Sequence, residues 1–184
     1  MPLRRTVARR RPPAAERQHV MRMNELHRAA YSADAVRVRE LLGLGANPNE
    51  RDDQGYTPLL WAALRAAVGH QIPIVAALLQ AGADPNAVTE RGDSTVLMWA
   101  VQSGNRDVVV GLIDSGARVN QAANEVTPLM VAAQEGNEDM VQLLLDRGAD
   151  PCAKAGRFTA ADYAEYRGYE HIARVLRASS VVSA

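Results

Sequence analysis

The sequence predicts an all-α solenoid of stacked helix-turn-helix units with projecting hairpin-like turns. A phrase that opens on Thr and runs at once into apolar residues begins at Thr57, Thr95, Thr127 and Thr159, at spacings of 38, 32 and 32 residues. Periods of this size belong to stacked repeats rather than to a single globular core. A second phrase, Gly-Ala followed three residues later by Asn, closes the units at Gly82-Ala83 with Asn86 and at Gly116-Ala117 with Asn120. The chain is 47% hydrophobic yet has one Phe, so its apolar content is the small Ala and branched aliphatics that closely stacked short helices require.

The first helix of each unit starts at the Thr. The fullest versions are Thr57-Pro58-Leu59-Leu60-Trp61-Ala62-Ala63 and Thr127-Pro128-Leu129-Met130-Val131-Ala132-Ala133; Thr95-Val96-Leu97-Met98-Trp99-Ala100 and Thr159-Ala160-Ala161-Asp162-Tyr163-Ala164 are degenerate copies. A Thr hydroxyl caps the unpaired N–H groups of a first turn, and Pro at the first helical position gives up an N–H that had no partner. The second helices follow in the apolar runs 74–79, 108–113 and 140–145, which stop at Gly82, Gly116 and Gly148. A Gly just past a helix end accepts the left-handed conformation that closes it.

In one unit Gly55, Thr57, Pro58, Leu59, Ala62, Ala63, Leu78, Leu79, Gly82, Ala83, Asp84 and Asn86 fall in a fixed order that resembles the ankyrin repeat. The resemblance implies an ankyrin-repeat solenoid of about five units in a small stand-alone protein of bacterial type. Glu25-Leu26-His27-Arg28-Ala29-Ala30 and Gly45-Ala46-Asn47-Pro48-Asn49 then read as a first unit without its leading turn, and 160–176 as a last one whose second helix, 171–176, ends the pattern. The expected units are 24–51, 52–88, 89–120, 121–152 and 153–177, between a basic tail at 1–23 and a short tail at 178–184. Terminal repeats need a polar outer face. Arg28, Arg37, Arg39 and Glu40 supply it at one end, and Glu165, Arg167, Glu170, Arg174 and Arg177 at the other.

Departures from the pattern carry their own expectations. The link between Leu64 and Ile74 is about four residues longer than usual. It reads either as a partner-specific bulge or as an insertion of the kind surface connections tolerate, and the second is expected. The family's His one residue after the Leu is replaced by Leu60, Met98, Met130 and Asp162, with only His27 retained, which shifts cohesion from hydrogen bonds toward apolar packing. Met98 and Met130, and likewise Trp61 and Trp99, repeat at equivalent places. Such stripes serve as core or as binding surface; core is expected for the Met pair, and both readings stay open for the Trp pair.

The resemblance implies a non-catalytic protein-binding module that meets its partner through turn tips and the exposed side of each first helix. In this chain that surface maps to Asp53, Gln54, Tyr56, Leu64 and Arg65, then Arg91, Asp93, Ser94, Gln102 and Ser103. It continues through Asn124, Val126, Gln134 and Glu135 to Arg157, Phe158, Tyr166 and Arg167. Aromatic and Arg side chains are the types that anchor protein interfaces. Tyr56, Phe158 and Tyr166 are the expected anchors, because a turn aromatic has no obvious core to fill.

Catalytic constellations are missing from the pattern. His19, His27, His70 and His171 fall in four different places, and the lone Cys152 stands where other units have Asn49, Asn86 and Asn120, with no second Cys for a metal pair. Gly43-Leu44-Gly45 is too short for a phosphate loop, and Asp84 and Asp150 are turn residues by position. No cofactor and no metal are expected.

Net charge is zero, but residues 1–22 hold seven Arg against Glu16, leaving 14 basic and 20 acidic residues for the rest. The tail is expected to be disordered. Four readings compete for it: an arm for nucleic acid or an anionic surface, an Arg-rich targeting segment, an intramolecular partner of the acidic body, or a start called too early, with translation beginning at Met21 or Met23. No run approaches eighteen apolar residues, so membrane insertion is not expected. The expectation is a cytoplasmic monomer that binds another protein. The alternatives are a nucleic-acid-associated regulator using the basic arm and an inhibitor or antitoxin-like subunit that masks an enzyme.

Overall fold

The computed structural model describes residues 24–68 and 70–182. The basic segment 1–23, and with it every reading of the tail, lies outside the described residues. Among those residues there are ten α-helices and no strand: α1 Glu25–Tyr31, α2 Ala35–Gly43, α3 Pro58–Leu64, α4 Ile72–Gln80, α5 Val96–Ser103, α6 Arg106–Asp114, α7 Pro128–Glu135, α8 Glu138–Asp146, α9 Ala160–Tyr166 and α10 Glu170–Val182. Consecutive helices pair into five units. The first helices, α1, α3, α5, α7 and α9, form one layer in which each touches the next, and α2, α4 and α6 form the second layer behind them. The all-α repeat solenoid is therefore the observed fold.

Side-chain caps explain eight of the ten helix starts. The hydroxyls of Thr57, Thr95, Thr127 and Thr159 accept hydrogen bonds from the backbone N–H groups of Leu60, Met98, Met130 and Asp162 at 3.1–3.4 Å. In α1 the same service comes from Asn24, which accepts from His27 N at 3.0 Å. Asp34, Asn105 and Asn137 cap α2, α6 and α8. Gly82 and Gly116 sit at φ +86° and +95°, the left-handed region that reverses the chain after α4 and α6.

One continuous core runs the length of the stack, with Leu59, Ile74, Leu97, Leu112, Leu129, Met140, Leu144 and Leu176 buried in it. Met98 and Met130 are both buried, so the Met stripe is core. The Trp pair splits. Trp61 is buried and donates from Nε1 to Asp52 Oδ2 at 2.7 Å, whereas Trp99 is half-buried with its Nε1 lacking an acceptor.

Hydrogen bonds also cross between units. Asn49, Asn86 and Asn120 each donate from Nδ2 to a carbonyl of the next unit, Gly82, Gly116 and Gly148, at 2.8–3.0 Å. Their Oδ1 atoms accept from the N–H groups of Asp84, Arg118 and Asp150 at 2.7–2.8 Å. His27 is fully buried, its Nε2 within 3.0 Å of the carbonyls of Glu50 and Tyr56. The long link folds into a 3-10 turn, Ala66–Val68. Asn105 Nδ2 donates to Ala66 O at 3.0 Å, and the buried Gln71 donates from Nε2 to Ala30 O at 3.2 Å. The insertion is thus tied to the units on both sides of it.

The sequence reading ends the repeat pattern at 176–177 and leaves 178–184 as a tail. Instead α10 runs to Val182. Ser180 occupies the place that Gly148 holds one period earlier, and without a Gly the helix continues. The side chain of Cys152, in the clamp position, makes a single 3.9 Å contact from Sγ to Ser180 O among the described residues, and its N–H donates to Asp150 Oδ1 at 2.8 Å.

Candidate interaction face

Units two to five present their tips, and all five their first helices, as one row, and each of these tips is fixed by its own polar chemistry. In the second unit Asp52 Oδ1 accepts from Gln54 N and Tyr56 N at 3.0 and 2.9 Å, an Asx turn that leaves Asp53 and Gln54 exposed. In the third, buried Thr89 accepts from Asp93 N and Ser94 N at 3.2 Å and bonds the Asp93 carboxylate through its hydroxyl. Arg91 and Asp93 are exposed there, and Ser94 is half-buried. The fourth tip is a two-residue reversal at Asn124 and Glu125, with φ of +47° and +67°, closed by the Ala123–Val126 bridge. The fifth is closed by Ala155–Phe158 and joined to the fourth by Gly156 N donating to Glu125 Oε2 at 2.8 Å.

Tyr56 does have a surface to fill. It stacks on Trp61 at 4.8 Å and 28°, Tyr31 meets the same indole edge-on at 5.5 Å, and the Arg65 guanidinium lies 4.8 Å over Tyr31. Burial pushes the Tyr56 hydroxyl pKa up, and Asp93 and Asp52 add to that against a smaller opposing effect of Arg91. Leu64 is half-buried, as is Arg65 over Tyr31. Gln102 is exposed, while Ser103 donates to Ala100 O at 2.7 Å and accepts from Asn105 N at 3.3 Å. Asn124 and Glu135 are exposed; Val126 and Gln134 are half-buried.

The fifth unit differs. Phe158 is 46% exposed and Tyr166 89%. Phe158 packs edge-on to Tyr163 at 6.4 Å, and Arg157 sits 5.0 Å over the Phe158 ring. Phe158, Asp162, Tyr163 and Tyr166 line a pocket of about 240 Å³, with Arg167 exposed at the end of α9. The Asp162 carboxyl lies below the usual carboxylate range because the N–H and hydroxyl of Thr159 both donate to it, at 2.8 Å. The sequence reading names Phe158 and Tyr166 but omits Tyr163, Tyr31 and Asp52. Tyr163 was detectable from spacing, three residues before Tyr166 on one helix and so on the same side.

A second groove, about 310 Å³, lies on the other layer between α4 and α6, where Gly111 leaves room beside Ile72, Val75 and Leu79. Among the described residues no three His, Cys, Asp or Glu side chains are grouped to hold a metal, and no helix is long and apolar enough to cross a membrane. His171 pairs with Glu138 at 2.9 Å, and Cys152 is exposed.

A family model described as ankyrin repeats matches the chain in three overlapping copies, at residues 26–123, 64–155 and 97–182. Among curated proteins, the chain is similar to the palmitoyltransferase Hip14 of Drosophila melanogaster, 31% identical over 106 residues covering 58% of this chain. It is also similar to the neurogenic locus notch homolog protein 1 of Danio rerio, 37% identical over 114 residues covering 60% of it. The matched regions span 16% and 4% of those two proteins.

Proposed function

The chain belongs to the ankyrin-repeat family, and we propose that it is a cytoplasmic, monomeric, non-catalytic module that holds one protein partner against its tips and first-helix face. Repeats of this family are in general protein-interaction modules, which supports the reading at the coarse level. The observation that carries it further is the fixing of the tips: backbone N–H groups donate to the side chains of Asp52 and Thr89, and Gly156 N donates to Glu125, which holds successive turns before any partner arrives. Little loop entropy is then lost on docking. Three groups that could do chemistry have structural partners: His27 in its carbonyl pair, Asp162 in its cap, His171 with Glu138.

The test is a nuclease-treated capture from the source cell, with the full chain compared against a Gln102→Arg, Tyr166→Ala double variant and retained proteins identified by mass spectrometry. Both side chains are exposed, so the variant should keep its helical signal and melting temperature while losing the partner. Equal retention by both chains rejects the proposed face. Capture that vanishes with nuclease moves the function to the Arg-rich segment.

A further inference from the structure

We propose that the pocket between Phe158, Tyr163 and Tyr166 docks an extended acidic peptide of the protein partner, with one apolar side chain between the rings and flanking carboxylates meeting Lys154, Arg157 and Arg167. This rests on the protein-binding reading and specifies the partner's chemistry at one end of the face.

The apolar half of the proposal comes from the walls. Three aromatic rings line the pocket, and two of them, Phe158 and Tyr166, are substantially exposed, Tyr166 more than any other large apolar side chain among the described residues. The one acid that contributes to the lining, Asp162, is occupied: Oδ2 accepts two hydrogen bonds from Thr159, and Oδ1 lies 4.0 Å from Arg177. It caps α9 and offers no free anion to a cationic guest.

The charge half comes from counting which groups around the pocket are already matched. Glu165 pairs with Arg177, and Glu125 accepts from Gly156 N. Lys154, Arg157 and Arg167 are all exposed, and among the described residues none has a carboxylate within ion-pair distance. Arg157 is held at the rim by its place over Phe158, and the charge of Lys154 is felt at Asp162. The acids of this corner are used and the bases are not, which is the complement of an acidic chain with a single apolar anchor. The second tip by contrast exposes the acid Asp53, and the third exposes Asp93 beside Arg91. Exposed pairs contribute little each, so the ring pocket supplies grip while the cations supply selection and steering.

The experiment is fluorescence anisotropy on the full chain with three short labelled peptides: Glu and Asp with a central Leu, the same with Ser for Leu, and a Lys version of the first. The Leu-bearing acidic peptide should bind best. Replacing its Leu by Ser, or Tyr166→Ala in the protein, should each weaken binding about tenfold, an anchor-sized effect. The Arg157→Glu, Arg167→Glu double variant should abolish it. A Lys peptide that binds as well, a Ser peptide that binds equally, indifference to Tyr166→Ala, or no binding at all overturns the proposal. If the peptides fail but the native chain captures a protein that Tyr166→Ala also retains, the pocket is wrong and the module reading stands; if the native chain captures no protein, the module reading fails as well.

Discussion

Replacing Asn86 by Ala tests how the stack is held together. The side chain makes two bonds to the next unit, donating to Gly116 O at 3.0 Å and accepting from Arg118 N at 2.8 Å, and Ala removes both. A hydrogen bond contributes about 0.5–1.5 kcal/mol net. Gly116 and Arg118 are exposed, so water takes over part of the lost bonding and the sum falls toward the lower half of the range, about 1–2 kcal/mol. For a chain of this length that lowers the melting temperature by about 3–6 °C. Urea unfolding followed by far-UV circular dichroism gives the energy, and hydrogen exchange at Arg118 gives the local effect. Cys152→Ala is the control, because that position lacks the two-ended clamp, and it should change stability by less than about 0.5 kcal/mol. A loss below about 0.3 kcal/mol in Asn86→Ala, with Arg118 as protected as before, would refute the clamp and leave cohesion at that junction to helix packing and the remaining polar links.

Four further outcomes follow from the same geometry. Cys152→Asn places a donor near Ser180 O, an acceptor in the last turn of α10, and should raise stability by about 0.5–1 kcal/mol; an unchanged urea midpoint means the carbonyl is out of reach. Tyr56→Ala loses the stack on Trp61 and half-buried ring area, so it should destabilise by about 1–3 kcal/mol, whereas a partner anchor with no packing role would leave stability alone. Because the Tyr56 pKa is raised, the folded state holds the proton longer and stability should fall as pH climbs past about 10, a slope that Tyr56→Phe should reduce. The Asp162 pKa is lowered, so its contribution is present above about 3.9 and is lost as pH drops below it; Asp162→Asn should flatten that part of the acid limb in pH-dependent urea titrations, and identical limbs reject the assignment.

Much of the fold was legible because it is written in local chemistry. A Thr that caps a helix and a Gly that closes one act within four residues, so Thr57 and Gly82 declare their roles without knowledge of the rest. The links between units were not legible, since Asn86 meets its partners 30 and 32 residues away and Gln71 reaches 41 residues back to Ala30. The two Trp residues share a sequence position yet differ, because only Trp61 has Asp52 to accept its N–H. The environment of Tyr56, in a turn, depends on Trp61 from the helix that follows it and on Tyr31 from the unit before. At the last unit the absence of a Gly at Ser180 was readable and explains the longer α10, although the repeat pattern itself suggested an earlier stop.

The most direct test of the account is hydrogen exchange on the full chain, alone and bound to its captured protein. The account expects slower exchange at the tips around residues 52–57, 89–95, 122–127 and 154–159 and along α5, α7 and α9, with α4, α6 and α8 unchanged. Protection confined to α4 and α6, where the groove beside Gly111 runs, would contradict it and move the binding surface to the other layer of the solenoid.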